Sequence, residues 1–250
     1  MGDRAEHLPP YTLYVDYYSE NIAPYLFDMW EAAFRLLVLP RITRARACAD
    51  VACGPGMAAA FLTDLFDAVM GVDISLAMLR RARENTLSEK AAFLRQDMRF
   101  LALPFRVDFI NCWGDSINHL LREEDLLWAF RSFSKNLNEG GLLFFDFNLE
   151  RQLKDGAGDE WYEMESNGGR ANWRLTWRND DKTAFLEILF YDRQGQEIGR
   201  EIIREKAHSV STVSDLLNRA GFKPLAWVDA ATLGAPEQNS RRLAVLSVKT

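Results

Sequence analysis

Asp50, Gly54, Gly56 and Asp73 lie where two apolar runs of the chain end, and their types suit the binding of a nucleoside. The stretch Ala49-Asp50-Val51-Ala52-Cys53-Gly54-Pro55-Gly56-Met57 joins the apolar run Ala45 to Ala52 to the Ala- and Leu-rich run Met57 to Phe66, whose spacing is helical. Two glycines at alternate positions on a strand-to-helix turn let backbone approach a ligand closely, and the helix start behind them offers free N–H groups and a partial positive charge. Asp73 closes the next apolar run, Ala68 to Asp73, where a carboxylate can accept both ribose hydroxyls. A second reactive stretch, Trp113-Gly114-Asp115-Ser116-Ile117-Asn118-His119, follows the apolar run Val107 to Cys112 and packs an indole, a carboxylate, a hydroxyl, an amide and an imidazole together. There Trp113 would shape a cofactor pocket and His119 would face a substrate. A structural alternative has Asp115 or Ser116 capping a short helix and His119 satisfied in the core.

The glycine spacing Gly54-x-Gly56-x-x-Ala59 also fits the dinucleotide fingerprint, so the turn alone leaves two ligands open. Asp50 separates them. A carboxylate just before the turn suits a cationic group and would repel a pyrophosphate.

The elements that position these groups alternate. Strands are predicted at Ala45 to Ala52, Ala68 to Asp73, Ala92 to Met98, Val107 to Cys112 and Leu142 to Asn148, with helices at Met57 to Phe66, Leu76 to Asn85 behind a Ser75 cap, and Glu123 to Leu137. Strands that alternate with helices imply right-handed crossovers and a parallel sheet. Asn138-Glu139-Gly140-Gly141 reads as a helix stop and Leu149 to Glu160 as a loop. From Trp161 to Lys206 the period changes to two, with turns at Asn179-Asp180-Asp181-Lys182 and Asp192-Arg193-Gln194-Gly195, which predicts an antiparallel meander. Its aromatic face packs on the sheet edge, roofs the substrate site, or does both. A helix Val213 to Ala220, opened by Ser211 or Thr212, and strands Phe222 to Asp229 and Arg242 to Lys249 complete the chain. Ahead of all this, Asn21 to Leu39 has helical periodicity ending at Pro40, preceded by Tyr11, Tyr14, Tyr17 and Tyr18. The tyrosines either pack on the body or act as a lid whose polar tips line a pocket.

The 250 residues suffice for one elaborated α/β domain: an N-terminal cap or lid over 1–40, a cofactor-binding core over 41–148, the meander over 159–206 and a C-terminal part of the core over 207–250. A net charge of -6 with interspersed signs shows no basic face for nucleic acid and no polybasic membrane segment, which favours small neutral or cationic substrates over polyanions. Cys48, Cys53 and Cys112 have no paired spacing, and with His7, His119 and His208 they offer no metal-ligand set, so no metal is expected and the cytoplasm is the expected compartment.

Asp50 to Gly56, Gly71-Val72-Asp73-Ile74-Ser75 with Met78-Leu79, Gln96-Asp97-Met98, Phe109 to His119, Gly140-Gly141 and Ala220-Gly221-Phe222 together resemble the class I S-adenosylmethionine-dependent methyltransferases of the small-molecule type. Ala52 stands where the first glycine of their motif lies. Asp115 to Leu120 is similar to the stretch found in the aminosugar N-methyltransferases. The resemblance implies a Rossmann-like seven-stranded sheet with an N-terminal helical cap and an inserted β-meander. It implies S-adenosylmethionine as cofactor, held by Asp50, Ala52, Gly54, Gly56, Asp73, Ile74, Met78, Asp97, Met98, Asn111 and Trp113, with Asp97 and the Met98 N–H on the adenine. It implies His119, Tyr14 and Tyr18 as catalytic residues and Tyr17, Asp115, Asn118 and Trp173 as substrate-binding ones. The expected reaction is in-line methyl transfer to a nitrogen or oxygen of a small molecule, by a chain that could pair as a homodimer and has no membrane or nucleic-acid partner. The alternatives are a cofactor-binding protein without catalysis and an NAD(P)-dependent oxidoreductase.

Overall fold

The structure, a computed structural model, describes residues 8–166 and 169–250; His7 lies outside them. The chain begins with a short helix α1 (Tyr14–Tyr17), a π turn (Tyr18–Ile22) and helix α2 (Ala23–Leu37). One continuous helix from Asn21 was expected. Pro24 accounts for the difference: it has no N–H and its ring would strike the Glu20 carbonyl of a regular helix, so the chain widens into a π turn before α2 starts.

The sheet and its helices follow as β1 (Ala47–Val51), α3 (Met57–Leu62), β2 (Ala68–Asp73), α4 (Leu76–Asn85), β3 (Ala91–Arg95), β4 (Val107–Cys112), α5 (Glu123–Asn136) and β5 (Leu137–Asn148). Then come α6 (Glu150–Asp155), β6 (Tyr162–Ser166), β7 (Gly169–Arg178), β8 (Thr183–Tyr191), β9 (Glu197–Lys206), α7 (Val210–Arg219), β10 (Phe222–Asp229) and β11 (Arg242–Lys249). The first sheet has seven strands in the order β10-β11-β5-β4-β1-β2-β3, parallel except around β11, and the meander β6-β7-β8-β9 forms a separate antiparallel sheet. The expected seven-stranded methyltransferase sheet with a helical cap and an inserted meander is borne out.

Three local expectations need correction. β5 starts at Leu137 and not at Leu142, because Gly140 takes a φ of 74° and the chain bulges through 138–141 without leaving the sheet. The region after β5 is not all loop: Leu153 is buried and anchors α6. α7 starts at Val210, earlier than read, because Ser209 caps it by accepting from the Thr212 N–H at 3.0 Å.

Alternation along the strands divides the core in two. Ala49, Val51, Ile110, Leu143, Phe145 and Phe147 pack under α5 and α7, while Cys48, Phe109 and Phe144 pack under α2 and α3. On this second face the last layer at the carboxyl ends turns polar: Asp50 follows Cys48, Asn111 follows Phe109, and Asp146 and Asn148 follow Phe144, with Arg242 paired to Asn148 in register. Open α/β sheets bind ligands beyond these ends.

Candidate active site

The loop after β1 is built from left-handed residues. Ala52, Gly54 and Gly56 have φ of 56°, 52° and 85°. For Ala52 that conformation costs on the order of 1 kcal/mol, which is the physical reason a glycine suits the place. Gly56 has a second reason: a Cβ there would stand 2.8 Å from Ala82 Cα, so α4 could not approach the loop. Asp73 holds the loop from β2, its two oxygens accepting the Gly54 N–H at 2.9 Å and the Ser75 N–H at 2.8 Å.

Beneath the loop runs a buried relay. Trp30 Nε1 donates to Asn111 Oδ1 at 2.8 Å, and Asn111 Nδ2 donates to Asp50 Oδ1 at 2.7 Å. Asp50 is 1% exposed and its Oδ2 has no partner. Burial pushes its carboxyl up to about 7. An unsatisfied carboxylate oxygen in such a place is a seat for a cation. It lines a cavity of about 60 Å³ together with Tyr18, Gly54, Asn111 and Trp113.

Tyr18, at the end of the N-terminal segment, lines that cavity and partly covers it. A Cβ on Gly54 would lie 3.9 Å from Tyr18 Cε1 and one on Gly114 3.5 Å from Tyr18 Oη, so the Tyr18 ring sits between the two loops. Beside it stands His119. Its Nδ1 donates to the Arg204 carbonyl at 3.1 Å, which leaves the Nε2 lone pair facing the Tyr11 hydroxyl at 3.2 Å. Burial raises the Tyr11, Tyr14 and Tyr18 hydroxyls above their ordinary range, so these side chains are neutral donors and not bases.

Residues 48–141 match a family described as "Methyltransferase domain". The chain carries a methyltransferase domain. The protein YqeM of Bacillus subtilis (strain 168), a methyltransferase by name, is 25% identical over 198 residues, 78% of this chain and 80% of its own. A dTDP-3-amino-3,6-dideoxy-alpha-D-glucopyranose N,N-dimethyltransferase of Streptomyces fradiae is 33% identical over 107 residues, 43% of this chain and 41% of the relative. The crystal structure of an S-adenosylmethionine-dependent methyltransferase from Clostridium acetobutylicum ATCC 824 shares the fold, with a TM-score of 0.81 at 24% identity, over 96% of this chain and 98% of that one. The expected class, S-adenosylmethionine-dependent methyltransferase with a likeness to the aminosugar branch, is borne out; the oxidoreductase and the silent protein are not favoured.

The methyltransferase domain and the meander meet in a charged cluster. Arg242 reaches Asp115 Oδ2 at 2.7 Å, Asp146 Oδ2 at 2.8 Å and Asn148 Oδ1 at 2.9 Å. Asn148 Nδ2 donates to Asp115 at 2.5 Å and reaches Glu205 at 3.5 Å. Burial pushes Asp146 and Glu205 each up to about 7, while the flanking acids hold Arg242 protonated against its own burial. Acids outnumber the single guanidinium, so the cluster favours a cation as its neighbour.

Other expected site residues fall in varied places. Asp97 is turned to Arg99, whose Nε and Nη2 bond its two oxygens, with Asp125 behind. Ile74 is exposed, Met78 is buried with its N–H on Ser75 Oγ, and Met98 packs against the sheet core. Trp113 stacks on Phe144 and donates to the Leu26 carbonyl. Asn118 is fully buried and ties β5 to the end of β9 by accepting from Asn148 N–H and donating to the Asn148 and Lys206 carbonyls. Tyr14 and Tyr17 stack on each other and pack against the meander, where Trp173 stacks on Tyr162. Among the described residues no group of three or more His, Cys, Asp or Glu side chains could hold a metal ion, and no helix is long and apolar enough to cross a membrane.

Sequence reasoning missed Trp30 as the support of Asn111, Arg242 and Asp146 as the partners of Asp115, and Tyr11 as the ring on His119. It also passed over Glu201 and Glu205. A signal for these two existed, since both share a strand face with Ile203.

Proposed function

We propose that this chain transfers the methyl group of S-adenosylmethionine to a nitrogen or oxygen of a small molecule, with an amine as the preferred acceptor. The unpartnered Asp50 oxygen carries this reading. It offers a carboxyl group fixed at the end of a rigid relay, where the methionine ammonium would sit and favour its ionised form, and where a pyrophosphate would be repelled. When bound, the cofactor supplies a sulfonium-activated methyl group that an acceptor lone pair can take in line as the carbon–sulfur bond breaks.

The chain's own residues do the positioning. Gly54 and Gly56 keep backbone close to the methionine end, and Ala52 does so at a conformational cost. Asp73, already fixed by two N–H groups, has lone pairs left for the ribose hydroxyls. Ile74 and Met78 would hold the nucleoside, Trp113 would line the methionine end, and the Met98 N–H would meet the adenine; Asp97 could join only by sharing an oxygen with Arg99. His119 carries its proton on Nδ1 and accepts from the neutral Tyr11 hydroxyl at Nε2, so the acceptor's proton could pass to the Tyr11 oxygen as that hydroxyl gives its own to His119. Placement and exclusion of water supply most of the rate.

Acid excess around Asp115, Asp146 and Glu205 supports an amine, which arrives as a cation. The aminosugar substrate in the Streptomyces fradiae relative's name points the same way. Three free, buried cysteines fit a reducing compartment such as the cytoplasm. Transfer of radiolabelled methyl from S-adenosylmethionine to a panel of small amines, with matched alcohols and anionic analogues, tests the reading. Label in amines before alcohols supports it, and label in none of the panel counts against it.

A further inference from the structure

We infer that Glu201 is the anchor that holds the tyrosine segment shut over the glycine loop, and that its carboxylate must release that segment each time the cofactor enters or leaves. The inference rests on the cofactor reading above. Glu201 lies on the inner face of β9 and is fully buried. Its Oε1 accepts from three consecutive backbone N–H groups, Thr12 at 3.0 Å, Leu13 at 2.5 Å and Tyr14 at 3.2 Å. Charge-assisted bonds to backbone are the strong kind. The same strand is shaped for the segment at its other end: the Arg200 carbonyl accepts the Leu8 N–H at 2.9 Å, and a Cβ on Gly199 would come within 2.7 Å of Leu8 Cδ1 and 3.0 Å of Leu13 Cδ1.

Closure is needed for the site and incompatible with traffic through it. Anchored at 12–14, the segment places Tyr11 on His119, sets the Tyr11 carbonyl on Ser75 Oγ at 3.2 Å, and lays the Tyr18 ring between Gly54 and Gly114. The space left underneath, about 60 Å³, takes a few waters. A nucleoside-sized ligand needs roughly 300 Å³ or more. The segment therefore lifts for exchange. Two features make lifting feasible. The π turn Tyr18–Ile22, ahead of Pro24, is a place where the helix is already interrupted. Glu201 Oε2 has no partner while the segment is down, so opening gives that oxygen solvent in return for the lost bonds. Toward the solvent edge the segment has one further tie, the ion pair of Asp16 with Arg81 at 2.5 Å.

Glu201 is thus a positioning residue whose removal should speed traffic without touching the glycine loop. The test is stopped-flow binding and release of S-adenosylhomocysteine on the full chain, beside hydrogen exchange of residues 8–17. Glu201→Ala should raise both association and release rates by about 10-fold and unprotect the segment while the glycine loop stays protected. Glu201→Gln, which keeps an accepting oxygen, should fall between it and the wild type. Asp16→Asn, an exposed change with no reason to alter folding, should speed release by about 2-fold. Unchanged rates in a folded Glu201→Ala overturn the anchor; if that variant does not fold, unchanged rates in both Glu201→Gln and Asp16→Asn do so. Failure of the wild type to bind S-adenosylhomocysteine at all would be a different result, sinking the cofactor reading and the anchor with it.

Discussion

The two halves of the site are held in different ways. The glycine-loop half rests on the central sheet: Asp50, Asn111 and Asp73 project from strands whose neighbours are fully buried, and Trp30 locks Asn111 and through it Asp50 from α2. The tyrosine half is tied by the Glu201 carboxylate, backbone bonds of Leu8 and Tyr11 to Arg200 and Ser75, one hydroxyl–imidazole contact and an exposed ion pair, and its rings pack on the meander. A site that must grip a cofactor rigidly and still exchange it gains from this division, because the half that moves packs on the meander and not on the central sheet that carries the glycine loop. Substitutions in the first half should therefore appear in cofactor affinity, and those in the second in turnover or exchange rate.

The largest effect is expected where the halves join. Arg242→Leu leaves the buried Asp146 and the half-buried Asp115 without their cation and should destabilise the fold by about 3 kcal/mol, read as a lower midpoint in urea. A loss below 1 kcal/mol would mean that the cluster is solvated and the join loose. Next, Asp50→Ala should weaken S-adenosylmethionine binding by about 100-fold in calorimetry, through loss of the only anion at the end of the relay. By comparison His119→Ala should lower turnover by about 100-fold and leave that affinity within a factor of two or so. If His119→Ala weakened the cofactor as much as Asp50→Ala, the division would be wrong.

A smaller effect concerns pH. Asp50, Asp146 and Glu205 bind protons more tightly in the folded chain, near 7, than in the unfolded chain, near 4. Between those values the folded state holds more protons, so stability of the ligand-free protein falls as pH rises from about 4 through 7. Its melting temperature should be lower at pH 8 than at pH 6, while cofactor affinity rises over the same interval as Asp50 ionises. The smallest expected change is Ala52→Gly. Relief at a φ of 56° is partly offset by greater freedom of the unfolded chain, leaving a stability change of about 0.5 kcal/mol.

The same division governs how much could be read from the sequence. β2, β4, α4 and the final two strands were legible to their end residues because apolar runs meet clear stops, such as Ser75 capping α4 by accepting from Met78 N–H. Asp50 to Gly56 and Asp73 were legible as a strand-to-helix turn and a strand-ending carboxylate because their signals are local. The tyrosine half was not. Tyr11 meets His119 across 108 residues, Leu13 meets Glu201 across 188 and Asp115 meets Arg242 across 127, and no short-range pattern encodes which of several tyrosines or acids will arrive. Asn118 shows the opposite error: a polar residue in a reactive stretch whose amide is spent on backbone, joining two sheets. Pro24 and Gly140 were present in the sequence, yet their effects, a π turn and a bulged strand, depend on elements packed around them.

The central claim is that Asp50 and its relay seat the cationic end of S-adenosylmethionine. Calorimetric titration of the wild type and of Asp50→Asn with S-adenosylmethionine, and separately with NADH, tests it most directly. The account predicts micromolar binding of S-adenosylmethionine to the wild type, loss of most of that affinity in Asp50→Asn, and no heat from NADH. Binding of NADH, or equal S-adenosylmethionine affinity in the two proteins, would contradict it.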